Sequence, residues 1–425
     1  MPHHPADRSP RIEAVSIGQL HQRIQDIAAL SPAPPAGLPL SITRALAQQA
    51  NPAAQPHQTA LLLAWSGDQL AGYIGLLPAR LHEQPLSPDT SPVAHPIAYL
   101  TGFYVHPAFR TSGAALALLR HAARLGVDLL VTGAAPASWP LYHALKWTPL
   151  PGPPITTWDL HRIHPLTWPR RRSPSARGTL IPRPALLPGL TRRISRRIIR
   201  QSLPPPPPDH AGWSPIDPHS LPDRCFALRP GTARLCFDRP WLAWILQHPW
   251  LRPASRPATA AGPATPTPPD PSCPPTPTSH FDLPVTRFQH VLHACHAGPD
   301  NLLAAALVAL SSTRCPAPHT RLRLVWSWSQ SPGHAMRILH HLLDLAALHY
   351  ADHVELPGTP AQAGPPGTPC PPAPLSPLGL GLTRLVVRHR SDTTFLKPAH
   401  ANSPLQRLAA SLSPVYGEGD VGPLA

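Results

Sequence analysis

Two short apolar runs, Ala60 to Trp65 and Leu70 to Leu77, flank Ser66-Gly67-Asp68, and turn chemistry between apolar runs predicts a β-hairpin. A third run, Ile97 to Val105, is rich in β-branched and aromatic residues and stops at His106-Pro107, where proline offers no N–H to a ladder. It reads as a strand. The small-residue turn Arg110 to Ala115 then opens a segment with apolar residues at Leu118, Ala122 and Leu125 and at Leu116, Leu119 and Ala123, which is helical spacing. A second apolar strand over Val127 to Thr132 and a helix over Ala137 to Trp147 follow. Upstream, Ile17 to Ala29 and Ile42 to Ala50 carry amphipathic helical patterns.

Farther along, Arg321 to Trp328 reads as a strand, Pro332 to Tyr350 as an amphipathic helix and His353 to Leu356 as a strand, with Leu382 to Arg388 closing a second sheet. That order repeats the first half. Between the patterned stretches lie the prolines, 66 in 425 residues, about three times average usage. Pro149 to Pro154 is expected to close the first domain, and Leu203 to Pro208 to precede the second. Pro253 to Pro277 and Pro357 to Pro377 read as loops or insertions, and Ala399 to Ala425 as a loose tail. The expected division is a first domain over residues 1–160, an Arg/Pro-rich linker with a short basic helix over 161–210, a second domain over 211–398 and a disordered tail over 399–425.

The turn Arg110-Thr111-Ser112-Gly113-Ala114-Ala115 carries the chemistry. At the start of a helix, such a turn points unpaired backbone N–H groups outward at the positive end of the helix dipole, which suits a pyrophosphate. Gly113 lets a ligand approach without a Cβ in the way, and Arg110 can add a charge-assisted contact. The turn itself matches neither G-x-G-x-x-G nor G-x-x-x-x-G-K-[ST], so Rossmann and P-loop readings of it have no support. Nor does it contain G-x-S-x-G or H-E-x-x-H, which leaves hydrolase and zincin readings without a motif.

Arg110-x-x-Gly113-x-Ala115, placed between a strand and a helix, resembles the cofactor motif [Q/R]-x-x-G-x-[G/A] of the GCN5-related N-acetyltransferase (GNAT) superfamily. Ala137-Ser138-Trp139-Pro140-Leu141-Tyr142-His143-Ala144-Leu145-Lys146-Trp147 is similar to that family's A-x-x-L-Y-x-x-x-G-F helix, with Lys146-Trp147 where Gly-Phe is usual. The resemblance covers about residues 10 to 160. It implies a mixed α/β (α+β) fold with a mostly antiparallel sheet flanked by helices, here in two tandem copies joined by Pro-rich linkers. It also implies that the backbone of Phe103, Tyr104 and Val105 pairs with the pantetheine arm of acetyl-CoA or another acyl-CoA. The turn of Arg110, Thr111, Ser112, Gly113, Ala114 and Ala115 would hold the pyrophosphate, and Tyr142 would protonate the departing thiolate. A phenol of pKa near 10 can donate to a sulfur whose conjugate acid has a pKa of roughly 8.5. The acceptor is then a small-molecule or peptide amine. Its base is open: Ile97 to Val105 has no carboxylate, Tyr99, Thr101 or His106 with water are candidates, and Glu83 is expected in a nearby loop.

In the second half, Ala233 to Trp250 resembles an R-D-x-x-[FY]-L-x-W-R segment of tandem acetyltransferase-like proteins, with Asp238, Leu242 and Trp244 fitting and Ile245 in place of the arginine. Ser329-Gln-Ser-Pro-Gly-His334 lacks the arginine and the paired small residues of the first turn, so no CoA is expected there.

Charge changes the picture in one place. The formal net charge is +15, carried almost wholly by arginine, since Lys146 and Lys397 are the only lysines. Arg170, Arg171, Arg172, Arg177 and Arg183 precede a short helix over Thr191 to Ser202 with Arg192, Arg193, Arg196, Arg197 and Arg200 on its wet side. A solvated connecting helix is expected, with binding of an anionic surface as the alternative. The absence of stacked aromatics in the helix argues against specific nucleic-acid reading. No run of apolar residues is long enough to span a membrane, the N-terminus has no signal-like apolar region, and Cys225, Cys236, Cys273, Cys295, Cys315 and Cys370 form no C-x-x-C pair. A cytoplasmic protein without bound metal is expected, His290-x-x-His293-x-Cys295-His296 lacking a second ligand cluster. A non-catalytic acyl-CoA-binding or regulatory protein is the rival function.

Overall fold

The computed structural model describes residues 10–30, 36–85, 91–132, 134–160, 188–206, 211–227, 233–235, 238–248, 285–298, 301–313, 319–357, 387–400, 403 and 412–413. Within them the chain forms two compact units. The first comprises residues 1–153, 226–286 and 392–425, and the second residues 154–225 and 287–391. Both are mixed α/β, with mostly antiparallel sheets flanked by helices.

In the first unit β1 (Arg11–Ser16) pairs antiparallel with β2 (Thr59–Ser66), and β2 with β3 (Gln69–Glu83), which forms the expected hairpin around Ser66-Gly67-Asp68. Next to β3 runs β4 (Val93–Val105), antiparallel, and then β5 (Asp128–Val131), parallel to β4. The helix α1 (Leu20–Ala28) buries Leu20, Ile24 and Ile27, one stripe at 3–4-residue spacing. Beside it, α2 (Ile42–Gln49) starts at Ser41, whose hydroxyl accepts the N–H of Arg44 at 3.2 Å. Both cover one face of the sheet with Leu61, Leu63 and Tyr73. On the other face, α3 (Ala114–Ala123) and α4 (Trp139–Ala144) pack through Leu118, Leu119, Ala122 and Tyr142 on Leu62, Ile74, Leu76 and Leu100.

Two later segments complete this unit. Residues 233–235 form β8 (Ala233–Leu235), antiparallel to the end of β3, and Leu412–Ser413 pairs with β8 in parallel, inside the stretch expected as a loose tail. Asp238 caps α6 (Arg239–Gln247), its carboxylate accepting the N–H of Trp241 at 2.9 Å. The indole of Trp244 donates to the carbonyl of Ala47 in α2 at 2.7 Å. The segment read as the start of a second domain therefore packs with the first unit. Finally Phe395, Leu396 and Lys397 of β13 (Val387–Lys397) pair antiparallel with β5. The strand expected over Leu382 to Arg388 lies outside the described residues up to 386 and continues well beyond them.

The strands of the second unit are likewise mostly antiparallel. Residues 155–159 of β6 (Thr148–Asp159) pair antiparallel with β12 (His353–Pro357), and β12 pairs in parallel with β11 (His319–Ser329). β10 (Leu302–Thr313), β9 (Val285–His296) and β7 (Gly212–Pro215) follow in that order. Between β11 and β12 the chain forms α7 (Pro332–Leu348), so β11–α7–β12 repeats the strand, helix, parallel-strand order of β4–α3–β5. The proline run Pro149 to Pro154 lies within β6, and the first segment of the first unit ends inside it, at Pro153.

The basic helix exists as α5 (Pro188–Ser202), yet part of its wet side is engaged. Arg192 reaches the buried carboxylate of Asp352 with Nε at 3.0 Å and Nη2 at 2.5 Å, and Arg200 pairs with Asp344. The prolines of 253–277 and 358–377, Arg170 to Arg183, and Cys236, Cys273, Cys315 and Cys370 lie outside the described residues. Cys225 and Cys295 are buried free thiols. Among the described residues no three His, Cys, Asp or Glu side chains gather to hold a metal.

Candidate active site

Opposite Ile74 of β3, β4 carries two residues, Gly102 and Phe103, because Tyr73 pairs with Tyr104 while Gly75 pairs with Thr101. Gly102 has φ +57, the left-handed conformation a glycine bulge requires. Pairing of β4 with β5 is confined to Ile97 to Tyr99. Beyond Tyr99 the pairing with β5 ends, and among the described residues no strand pairs with the edge of Phe103, Tyr104 and Val105 that faces away from β3. The bulge also divides the side chains. Phe103 and Val105 pack into the core under α3, whereas Tyr104 turns to the other face, 5.6 Å from the ring of Tyr73.

From Val105 the chain enters a tight 3₁₀ turn at Pro107–Phe109, with His106 Nδ1 accepting the N–H of Ala108 at 3.3 Å. That bond occupies one ring nitrogen of a residue considered as a base. The Ser112 hydroxyl donates to the carbonyl of Phe109 at 2.7 Å, turning the chain back toward α3. Gly113 then takes φ +79, ψ +2, and α3 begins without any side-chain cap. Its first N–H groups have no acceptor within the helix and no side-chain cap. A Cβ built on Gly113 meets nothing within 4 Å. Arg110, Thr111, Ser112 and Gly113 are exposed, Ala114 is buried and Ala115 half-buried. Arg110 meets no carboxylate among the described residues. An uncapped, positively polarised helix start of this kind fits a pyrophosphate. By contrast, α7 begins with Ser331, whose hydroxyl accepts the N–H of His334 at 3.3 Å, and with Pro332, which has no N–H to offer.

Tyr142 lies in the core shared with Phe103 and Val105 and is 2% exposed. Its ring stacks on Phe395, centroids 5.0 Å apart and planes at 23°, and meets Trp147 edge-on at 5.1 Å. Burial pushes the phenol up to about 12, against a smaller opposing effect of its hydrogen bond with the Ser138 side chain. The sequence comparison of a phenol near 10 with a thiol near 8.5 therefore understates the gap. The hydroxyl keeps its proton at any working pH.

The departure at Lys146-Trp147 has a geometric reading. Lys146 takes φ +57, its N–H bonds the carbonyl of His143 at 3.0 Å, and the N–H of Trp147 bonds that of Tyr142 at 2.9 Å. This is a Schellman C-cap, with lysine in the position glycine usually takes and Trp147 packed back on Tyr142.

Among the other base candidates, Tyr99 and Thr101 are each 4% exposed, and the Thr101 hydroxyl has no partner among the described residues. Glu83 is not in a loop but ends β3, where its carboxylate meets His95 Nε2 at 2.9 Å. Tyr99 pairs with Leu77, so Glu83 stands six residues along β3 from it, roughly 20 Å away. That distance removes Glu83 from the site. Sequence reasoning missed Phe395, which pairs with Val131 and supplies the floor under Tyr142; the β-branched and aromatic run Thr393-Thr394-Phe395 was its signal.

The profile of the acetyltransferase (GNAT) family matches residues 27–145, a span holding the β4 bulge, the Gly113 turn and Tyr142. Residues 27–145 form an N-terminal GNAT domain. No curated protein matches the sequence. Among solved structures, the chain is similar to a GCN5-related N-acetyltransferase from Anabaena variabilis (11% identity, TM-score 0.40, covering 92% of this chain and 73% of that one). It is similar to Eis1 from Mycobacterium abscessus (14%, 0.39, 92% and 73%) and to Saccharomyces cerevisiae N-myristoyltransferase with bound myristoyl-CoA (10%, 0.42, 93% and 86%). The family match falls within the first segment of the first unit and includes the α3 turn.

Proposed function

We propose that this chain is an N-acyltransferase that moves an acetyl or other acyl group from acyl-CoA to an amine by direct attack. The observation that carries this reading is the uncapped start of α3 at left-handed Gly113, beside a β4 edge freed by the bulge at Gly102. In this reading Phe103, Tyr104 and Val105 hold the pantetheine amides through main chain. Arg110 to Ala115 hold the pyrophosphate with backbone N–H groups and one guanidinium. The thioester supplies the electrophile, and a neutral amine attacks its carbonyl to form a tetrahedral species that expels the thiolate. Tyr142, protonated throughout, donates its O–H toward the departing sulfur. A phenol at about 12 stabilises that sulfur by hydrogen bonding more than by full proton transfer. Thr101, buried with a hydroxyl that has no partner among the described residues, is our choice to hold the water that takes the amine proton.

The second unit, with the same strand order but a self-capped α7, is read as a diverged copy that binds no CoA. One observation favours a rival: Tyr142 is enclosed by Phe395, Trp147 and Ser138, as a purely structural tyrosine would be. The two readings part on turnover. Release of free thiol from acetyl-CoA, followed with a panel of amines, is expected to exceed hydrolysis for at least one amine in the wild type and to fall in Tyr142→Phe. Binding without amine-dependent thiol release would leave the non-catalytic reading.

A further inference from the structure

On α5 the buried and exposed sides separate cleanly. Ser195 and Ile199 are fully buried, Leu203 beyond the helix end is 5% exposed, and Arg192 turns inward to Asp352. The opposite side carries Leu190, Arg193, Ile194 and Arg197, at intervals of three and four that place them in one stripe. Leu190 is 47% and Ile194 38% exposed, among the few large apolar side chains of the described residues that face water. Unlike Arg192 and Arg200, Arg193 and Arg197 meet no carboxylate among the described residues. The guanidinium of Arg196, lowered first by burial and then by Arg193, Arg200 and Arg192, reports how crowded the positive charge is. No Asp or Glu occurs anywhere between His161 and Ser202.

A helix that needed only water on this side would not place two aliphatic side chains there. One that bound RNA through phosphates would use the arginines but not Leu190 and Ile194, and α5 contains no aromatic residue on which a base could stack. Aliphatic and cationic side chains on one stripe match an interface that is apolar a few ångströms down and anionic at its surface. We propose that α5 docks on anionic lipid, with Leu190 and Ile194 entering the acyl boundary and Arg193 and Arg197 meeting headgroup phosphates. The chain is thereby held at a membrane surface.

The test is flotation of the full chain with vesicles of phosphatidylcholine alone and of phosphatidylcholine with phosphatidylglycerol, in low and high salt. Recovery with the anionic vesicles only, weakened by salt, is expected. Arg193→Glu/Arg197→Glu is expected to lower the partition coefficient at least about tenfold, since each cation near such a surface is worth on the order of a few-fold. Leu190→Ser/Ile194→Ser, which removes no charge, is expected to lower it by a similar factor. All four side chains lie on the exposed stripe, so unchanged thermal melting accompanies both variants. Retained binding in Leu190→Ser/Ile194→Ser would mean charge attraction alone, and displacement from vesicles by a short RNA would mean a nucleic-acid site; either overturns the proposal. Equal recovery with neutral vesicles, or binding unaffected by the arginine changes, overturns it as well.

Discussion

Tyr142 of α4 lies flat on Phe395 of β13, 5.0 Å between ring centroids, although the two residues are far apart in sequence. The contact joins the helix of the candidate site to the strand that completes the first unit's sheet beside β5. Lys397 reinforces it by donating to the carbonyl of Leu145 at 3.1 Å, and the N–H of Ala399 donates to the carboxylate of Asp128 at 2.6 Å. Phe395→Ala is expected to cost about 3–5 kcal/mol in denaturant unfolding, the usual loss for a buried phenylalanine, and to lower acyl transfer by loosening Tyr142. Unaltered stability would show that the strand does not carry the helix.

Tyr142→Phe separates the ring from the hydroxyl. The stack on Phe395 and the edge contact with Trp147 are preserved, so the midpoint of unfolding is expected to move little. Turnover is expected to fall about 100-fold, the lower end for a lost proton donor, with affinity for acetyl-CoA unchanged. Stopped assays of thiol release beside calorimetric binding distinguish the two parameters.

Lys146 holds φ +57 at the C-cap of α4. A side chain in that region costs roughly 1–2 kcal/mol that glycine does not. Lys146→Gly is therefore expected to stabilise the first unit by about 1 kcal/mol, read as a raised thermal midpoint. A lowered midpoint would mean that the lysine side chain contributes a contact that outweighs the strain.

In the second unit His341 of α7 stacks on Trp213 at 4.2 Å with planes at 5°, and its Nε2 lies 2.6 Å from Nδ1 of His293. Burial, then His293, pushes His341 down to about 3, and burial, then His349, lowers His293. His349 is itself lowered by burial and by Arg287. Because the folded values lie below the unfolded one, the unfolded chain takes up protons first as pH falls. The stability is whole above about 6.5 and is lost toward about 3, at up to about 1.4 kcal/mol per pH unit for each group. Urea unfolding at pH 7.5 and 5.5 is expected to show the loss, and His341→Phe, which keeps a ring over Trp213, to remove most of the slope. A slope equal in wild type and variant would place the titration elsewhere.

The local pattern carried the β2–β3 hairpin, the β4 strand, the Gly113 turn and α3 because each is set within a dozen residues by periodicity and turn chemistry. The Gly102 bulge escaped notice, since one extra residue in a strand leaves no mark on an apolar run. The role of β13 and the place of β8 and α6 depend on long-range pairing, which composition does not encode. Proline marked the end of the first segment at Pro149 to Pro154, where the unit boundary falls, and an extended backbone with φ near −65° also suits the strand that runs through it. Arginine periodicity on α5 showed which residues could face water, while the partner of Arg192 is a buried aspartate far along the chain.

The account rests on the uncapped turn at Gly113, and calorimetric titration of acetyl-CoA into the full chain tests it most directly, beside Gly113→Ala and Gly113→Glu. Both substitutions bear the same left-handed strain, roughly 1–2 kcal/mol, but only glutamate sets a negative charge where the pyrophosphate is to lie. One-site binding in the wild type, weaker binding in Gly113→Ala and none in a folded Gly113→Glu is the predicted result. No binding to the wild type, or equal affinity in Gly113→Glu, would contradict an acyl-CoA site at this turn.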